Sequence, residues 1–179
     1  MCKSVTARAT RGDHLDSMLA ILLILAATAS PCSAPEFRQF DFWVGDWDVV
    51  NAAGATLGKN TITLVHDGCV LQEQWTGAKG KTGSSVSFYD ARTKKWHQFW
   101  VDSSGQAWLS YDRDGNPATA RGMFHDGIME MISDPATQPM VRGTWRLLPD
   151  GRVRQAFEAS SDGGKTWKLN FEGFYVRKR

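Results

Sequence analysis

Apolar and polar positions alternate with a period of two along most of the chain beyond residue 45, the spacing of strands that bury one face. The final run shows it best. Trp167, Leu169, Phe171, Gly173, Tyr175 and Arg177 share one face, against Lys168, Asn170 and Glu172. In the run before it, Val153, Gln155, Phe157 and Ala159 oppose Arg152, Arg154 and Glu158. The pattern predicts strands near 46–51, 57–66, 69–76, 83–89, 95–102, 106–112, 119–125, 128–133, 139–147, 152–160 and 166–177, with a short helical turn only around 37–44.

Five Asp-Gly pairs punctuate these runs: Asp67-Gly68, Asp114-Gly115, Asp126-Gly127, Asp150-Gly151 and Asp162-Gly163. Asp-Gly between alternating runs marks a hairpin, because a type I′ turn needs positive φ at both central residues. A meander of about ten or eleven strands must hide its edges. Closing into an antiparallel up-and-down β-barrel does so, and the expected fold is therefore all-β. The stretch Ser160–Trp167, "SSDGGKTW", matches the Asp-box pattern of sialidase propellers. It occurs once, whereas a propeller needs a repeat per blade. Its expected role is a turn in which Asp162 bonds backbone amides.

The N-terminus departs from this pattern. Leu19 to Ala29 is an eleven-residue apolar run followed by small residues. It is too short to span a bilayer, which takes about 20 residues, and it fits the core of a secretory signal peptide. Residues 1–34 read as that leader, with cleavage after Ala29 or Ala34, and 35–179 as one barrel domain. Met18 stands directly before the run as an alternative start, which would leave 1–17 untranslated. The protein is accordingly expected to be exported, periplasmic or secreted, with no stable membrane insertion of the mature chain. Removing 1–34 takes Lys3, Arg8 and Arg11 from the 21 basic residues, and Asp13 and Asp16 from the 19 acidic ones. The remaining 145 residues carry a net charge of +1, which does not favour nucleic acid as a partner. With Cys2 and Cys32 inside the leader, only Cys69 survives and no intramolecular disulfide is expected. Cys69, in a strand-like run, reads as a small buried hydrophobe.

Candidate chemistry comes from polar residues on apolar faces. In 69–76 the apolar face is Cys69, Leu71 and Trp75, and Glu73 falls among them. An unpaired carboxylate in an apolar interior is costly, so Glu73 must be paired, hydrated or protonated. Gln155 is inward by the same alternation. Segment 95–102 is ambiguous, with Trp96, Gln98 and Trp100 on one face and His97, Phe99 and Val101 on the other. Of the histidines, His66 and His125 precede Asp-Gly turns and are expected at exposed strand ends. No His-x-His, His-Glu-x-x-His or paired cysteines suggest a metal. The three aspartates of "FDFWVGDWDV", Asp41, Asp46 and Asp48, read as turn and rim residues. The eight tryptophans are many for such a chain, and two or three are expected to face a pocket.

Gly45-Asp46-Trp47 at the head of the first strand resembles the calycin superfamily, the lipocalins and their relatives. The resemblance implies that Trp47 closes the barrel base and that Arg177, in "FYVRKR", lies across its ring. Further motifs, "FDFWVGDWDV", "CVLQEQWTG", "KWHQFWVD" and "LPDGRVRQAFEASSDGGKTW", resemble an uncharacterised family of exported bacterial proteins with a calycin-like barrel. That resemblance implies the fold and brings no activity. In nitrobindin-like barrels a histidine near the C-terminus holds haem. None follows His125 here, and haem through His97 has no support in the sequence.

The expected function is binding of a small apolar or amphipathic ligand inside the barrel. Trp47, Glu73, Trp75, His97, Gln98, Trp100, Gln155, Phe157, Trp167 and Arg177 are the candidate ligand-binding residues. No catalytic residue or cofactor is assigned. The alternatives are an isomerase or hydrolase with Glu73 or His97 as general base, and an envelope interaction module whose barrel is packed solid.

Overall fold

The computed structural model describes residues 31–178 except 106, 109 and 112–116. The apolar run at 19–29 and the Asp114-Gly115 pair therefore lie outside the described residues. The described chain begins with a short helix α1 (Pro35–Arg38) and a 3₁₀ turn (Asp41–Trp43). Five long strands follow: β1 (Gly45–Val50), β2 (Thr56–Val65), β3 (Val70–Gly77), β4 (Thr82–Asp90) and β5 (Lys95–Asp102). Three two-residue strands come next, β6 (Ala107–Trp108), β7 (Ser110–Tyr111) and β8 (Pro117–Ala118). The chain then returns through β9 (Ala120–His125), β10 (Ile128–Ile132), β11 (Met140–Leu147), β12 (Val153–Ser160) and β13 (Lys168–Arg177).

Ten of these strands, β1–β5 and β9–β13, form a closed antiparallel up-and-down barrel. β13 returns to β1 with Trp47 opposite Arg177, and β5 bridges to β9 with Gln98 opposite Ala120. The strand expected at 106–112 is not one element. β9 takes the first half of β5, so β6 can pair only with its far end, Trp100 opposite Trp108. β7 and β8 form a separate two-stranded ladder.

The turns follow their Asp-Gly chemistry unevenly. Asp126 and Gly127 both have positive φ, 49° and 75°, in a two-residue turn between His125 and Ile128. His66, Asp67 and Gly68 are all positive in a longer turn, whereas at Asp150-Gly151 only the glycine is. Ser160 to Trp167 is a structural turn. Asp162 accepts from the backbone amides of Lys165 and Thr166 and from the hydroxyls of Thr166 and Ser160. These donors hold its carboxyl well below the usual carboxylate range.

One end of the barrel is plugged. Phe40 and Trp43 stack with ring centroids 4.9 Å apart, and Phe40 meets Trp96 and Trp145 edge-on. Trp47, Met129, Met131 and Tyr175 complete this buried cluster. Arg177 closes it from outside, its guanidinium over the Trp47 ring and donating to the Val44 carbonyl. Gly45, at φ 144°, is where a β-carbon would lie 2.4 Å from the Arg177 side chain.

The expectation that Cys69 is an unpaired core residue is wrong. It sits in the β2–β3 turn and is bonded to Cys32. The bond ties the segment just before α1 to that turn, and Arg38 from α1 also donates to the Gly68 carbonyl there. Two ties thus fasten the plug to one hairpin.

Candidate functional site

Beyond the plug the barrel interior changes character. A layer of buried polar side chains crosses its middle: Asn60 from β2, Glu73 from β3, Ser85 and Ser87 from β4, Gln98 from β5 and Gln155 from β12. Strand alternation puts them there: Asn60, Glu73, Gln98 and Gln155 each sit two residues from a buried apolar neighbour (Ile62, Leu71, Trp96 and Val153), and Ser85 and Ser87 share one face of β4. Above this layer lies a cavity of about 440 Å³. Its wall is Trp75, Trp100, Val141, Phe157 and Phe171, and its floor carries Glu73, Gln98, Gln155 and Tyr175. Lys81, Asp102 and Asn170 line it as well, and Lys81, half exposed, forms a 2.7 Å ion pair with Asp102 at the solvent side. Two glycines make the aromatic wall fit. A β-carbon on Gly58 would come within 2.7 Å of the Trp75 ring, and one on Gly83 within 2.1 Å of Trp100. The indoles lie flat over neighbouring strands because nothing projects beneath them.

Glu73 is the centre of the floor. It is 4% exposed, and each carboxylate oxygen accepts one hydrogen bond of 2.6 Å, from Asn60 Nδ2 and from the Ser85 hydroxyl. Gln98 Nε2 donates in turn to Ser85 and Ser87. Asn60 Nδ2 also donates to the Tyr175 hydroxyl, which donates to Gln155 Oε1 at 2.5 Å. Burial is the dominant influence on Glu73 and pushes its pKa up to about 7, with the Ser85 and Asn60 bonds opposing it. Burial and the neighbouring Glu73 charge hold Tyr175 protonated, well above its ordinary value. The Asn60 carbonyl oxygen is buried with no partner.

Six of the sequence-derived candidates converge on this cavity: Glu73, Trp75, Gln98, Trp100, Gln155 and Phe157. The ambiguity in 95–102 is resolved in favour of the Trp96, Gln98 and Trp100 face. The other four candidates lie elsewhere. Trp47 and Arg177 belong to the plugged end. His97 is on the outer face, stacked on Phe88 and bonded through Nδ1 to the Thr119 hydroxyl at 2.6 Å. Partial burial lowers its pKa. It cannot reach the cavity, either as a base or as a haem ligand. Trp167 is also outside, its Nε1 donating to the Gly164 carbonyl and its ring covered by Arg142.

The reason for the Trp167 error is a bulge. Phe157 pairs with Phe171 but Glu158 pairs with Leu169, so Asn170 is an extra residue in β13. Everything before it changes face: Leu169 is 50% exposed, and Asn170 lines the cavity instead. Sequence reasoning also missed Asn60, Ser85 and Val141 as site residues, although alternation in the predicted strands would have turned each inward. Asp41, Asp46 and Asp48 do not converge. Asp46 accepts from Thr61, Asp41 pairs with Arg38, and Asp48 is exposed. Among the described residues no group of histidine, cysteine or carboxylate side chains could hold a metal ion. Nor is any described helix long and apolar enough to cross a membrane.

No known family model matches the chain, and no curated protein is significantly similar to it in sequence.

Proposed function

We propose that this protein is an exported, non-covalent binder of a small apolar or amphipathic molecule. The observation that carries the reading is the half-filled barrel, with one end packed by the plug and the other an aromatic-walled cavity over a polar floor. At about 440 Å³ the cavity falls within the usual range for small-molecule sites, and apolar walls with a few convergent polar groups are their usual composition. The Cys32–Cys69 disulfide supports an oxidising compartment. It also favours leader cleavage after Ala29, because cleavage after Ala34 would remove Cys32. The indole–guanidinium pair of Trp47 and Arg177 supports the resemblance to calycin barrels.

The test is native mass spectrometry of the protein purified from its own host without detergent. A discrete added mass, lost on denaturation, supports the reading and gives the ligand class. A bare polypeptide that also takes up no apolar dye overturns it.

One observation favours a second reading, an enzyme with Glu73 as general base: a carboxyl held near neutrality at the floor of a reachable cavity. Turnover of a bound molecule that Glu73→Gln abolishes, with affinity retained, would establish it.

A further inference from the structure

The cavity reading leaves the ligand's chemistry open, and the floor narrows it. Glu73 accepts two hydrogen bonds from neutral donors, and among the described residues no cation touches it. The groups facing it are Asn60 from β2, Ser85 and Ser87 from β4, Gln98 from β5, Gln155 from β12 and the protonated Tyr175 from β13. The other charges on the lining, Lys81 and Asp102, are paired with each other at the solvent side. Among the described residues, the one uncompensated charge at the floor is therefore the carboxylate itself. A buried carboxylate without a counter-ion is destabilising, and a cation delivered to it is correspondingly favoured.

Three further features fit an ammonium. Each Glu73 oxygen accepts only one bond from the described residues, which leaves acceptor capacity on both. Gln98 uses its amide nitrogen on Ser85 and Ser87, and its carbonyl oxygen has no partner among the described residues. The faces of Trp75 and Trp100 supply an aromatic wall that tolerates positive charge as well as apolar bulk. Resting on the cavity reading, we propose that the site selects a primary ammonium carried on a compact apolar or aromatic body, with Glu73 as its counter-ion. A carboxylate ligand of the same shape is rejected by like charge. A neutral one leaves Glu73 uncompensated.

Isothermal titration calorimetry with phenylbutylamine, phenylbutanol and phenylbutyrate tests this on the full-length protein. At about pH 8 the amine should bind roughly tenfold or more tightly than the alcohol, with the carboxylate weakest. Glu73→Gln should abolish the difference in affinity between the amine and the alcohol. The wild-type protein gives a second readout that needs no variant. At about pH 5.5 Glu73 is protonated while the amine stays charged, and the preference should collapse. An alcohol that binds as well as the amine at the higher pH overturns the ammonium proposal alone. So does an amine preference that survives both Glu73→Gln and the lower pH. If none of the three binds, the cavity reading falls with it.

Discussion

The guanidinium carbon of Arg177 lies 4.4 Å from the centre of the Trp47 ring, and the two residues are also direct partners in the β1–β13 ladder. The last strand therefore closes the barrel both through its backbone and through a side chain laid over the first strand's tryptophan. Arg177→Ala should cost about 1 kcal/mol in urea denaturation, the ordinary size of a partly exposed cation–aromatic contact with one carbonyl bond added. Gly45→Ala should cost more, about 2 kcal/mol, because the new β-carbon strikes the guanidinium and the backbone there has φ 144°. If Gly45→Ala is recovered by adding Arg177→Ala, the clash is the cause. If it is not, backbone strain is.

Glu73 makes a pH prediction with a definite sign. Its pKa rises from an ordinary 4.5 to about 7 on folding, so the folded state holds a proton that the unfolded chain has already released. Its stabilising contribution is complete below about pH 4.5 and is lost as pH rises through about 7. The loss is about 3 kcal/mol across that window. Urea midpoints at about pH 5 and pH 8 should therefore fall with pH in the wild-type protein, and Glu73→Gln should remove most of that slope. A wild-type profile that is flat from about pH 5 to 8 would mean that the carboxylate is already compensated.

Much of this architecture was legible because period-two alternation is a direct consequence of strand geometry. The faces of 69–76 and 152–160 put Glu73 and Gln155 inside, and the meander between Asp-Gly turns demanded closure. What escaped had four different causes. Asn170 is a bulge residue, and one inserted residue reverses the face of everything on one side of it, which is why Trp167 and Leu169 were misplaced. His97 and Gln98 occupy a strand with bulk on both faces, where alternation gives no preference. The partner of Cys69 was lost to the choice of leader boundary, not to any property of the strand. Gly58 and Gly83 carry no signal of their own, since their role appears only when Trp75 and Trp100 lie across them.

The disulfide should contribute substantially. Closing a loop with a sequence separation of 37 removes about 3–4 kcal/mol of unfolded-chain entropy by the loop-closure estimate. Cys69→Ala should lower the urea-derived stability by nearly that amount, and reduction of the wild-type protein should produce the same loss. Reduction of the Cys69→Ala variant should add nothing further. The intact mass of the protein purified from its own host should show the chain starting before Cys32 and two hydrogens short of its reduced mass. A mature protein beginning at Pro35 would lack the bond and remove the basis of this prediction.

Binding inside the barrel, and not on its surface, can be tested by filling the space. Val141 is half-buried on β11 and lines the cavity, away from the plugged cluster and from the Glu73 network. Val141→Trp adds an aromatic ring to a volume of about 440 Å³ that can receive it. The variant should therefore keep its stability to within about 1 kcal/mol, unlike an insertion into a close-packed core, which typically costs 1–3 kcal/mol. Its affinity for phenylbutanol should drop by about tenfold or more, because the ring and the ligand compete for the same space. Unchanged affinity with unchanged stability would place the bound molecule outside the cavity. A large loss of stability would instead show that the space at Val141 is already occupied by close packing.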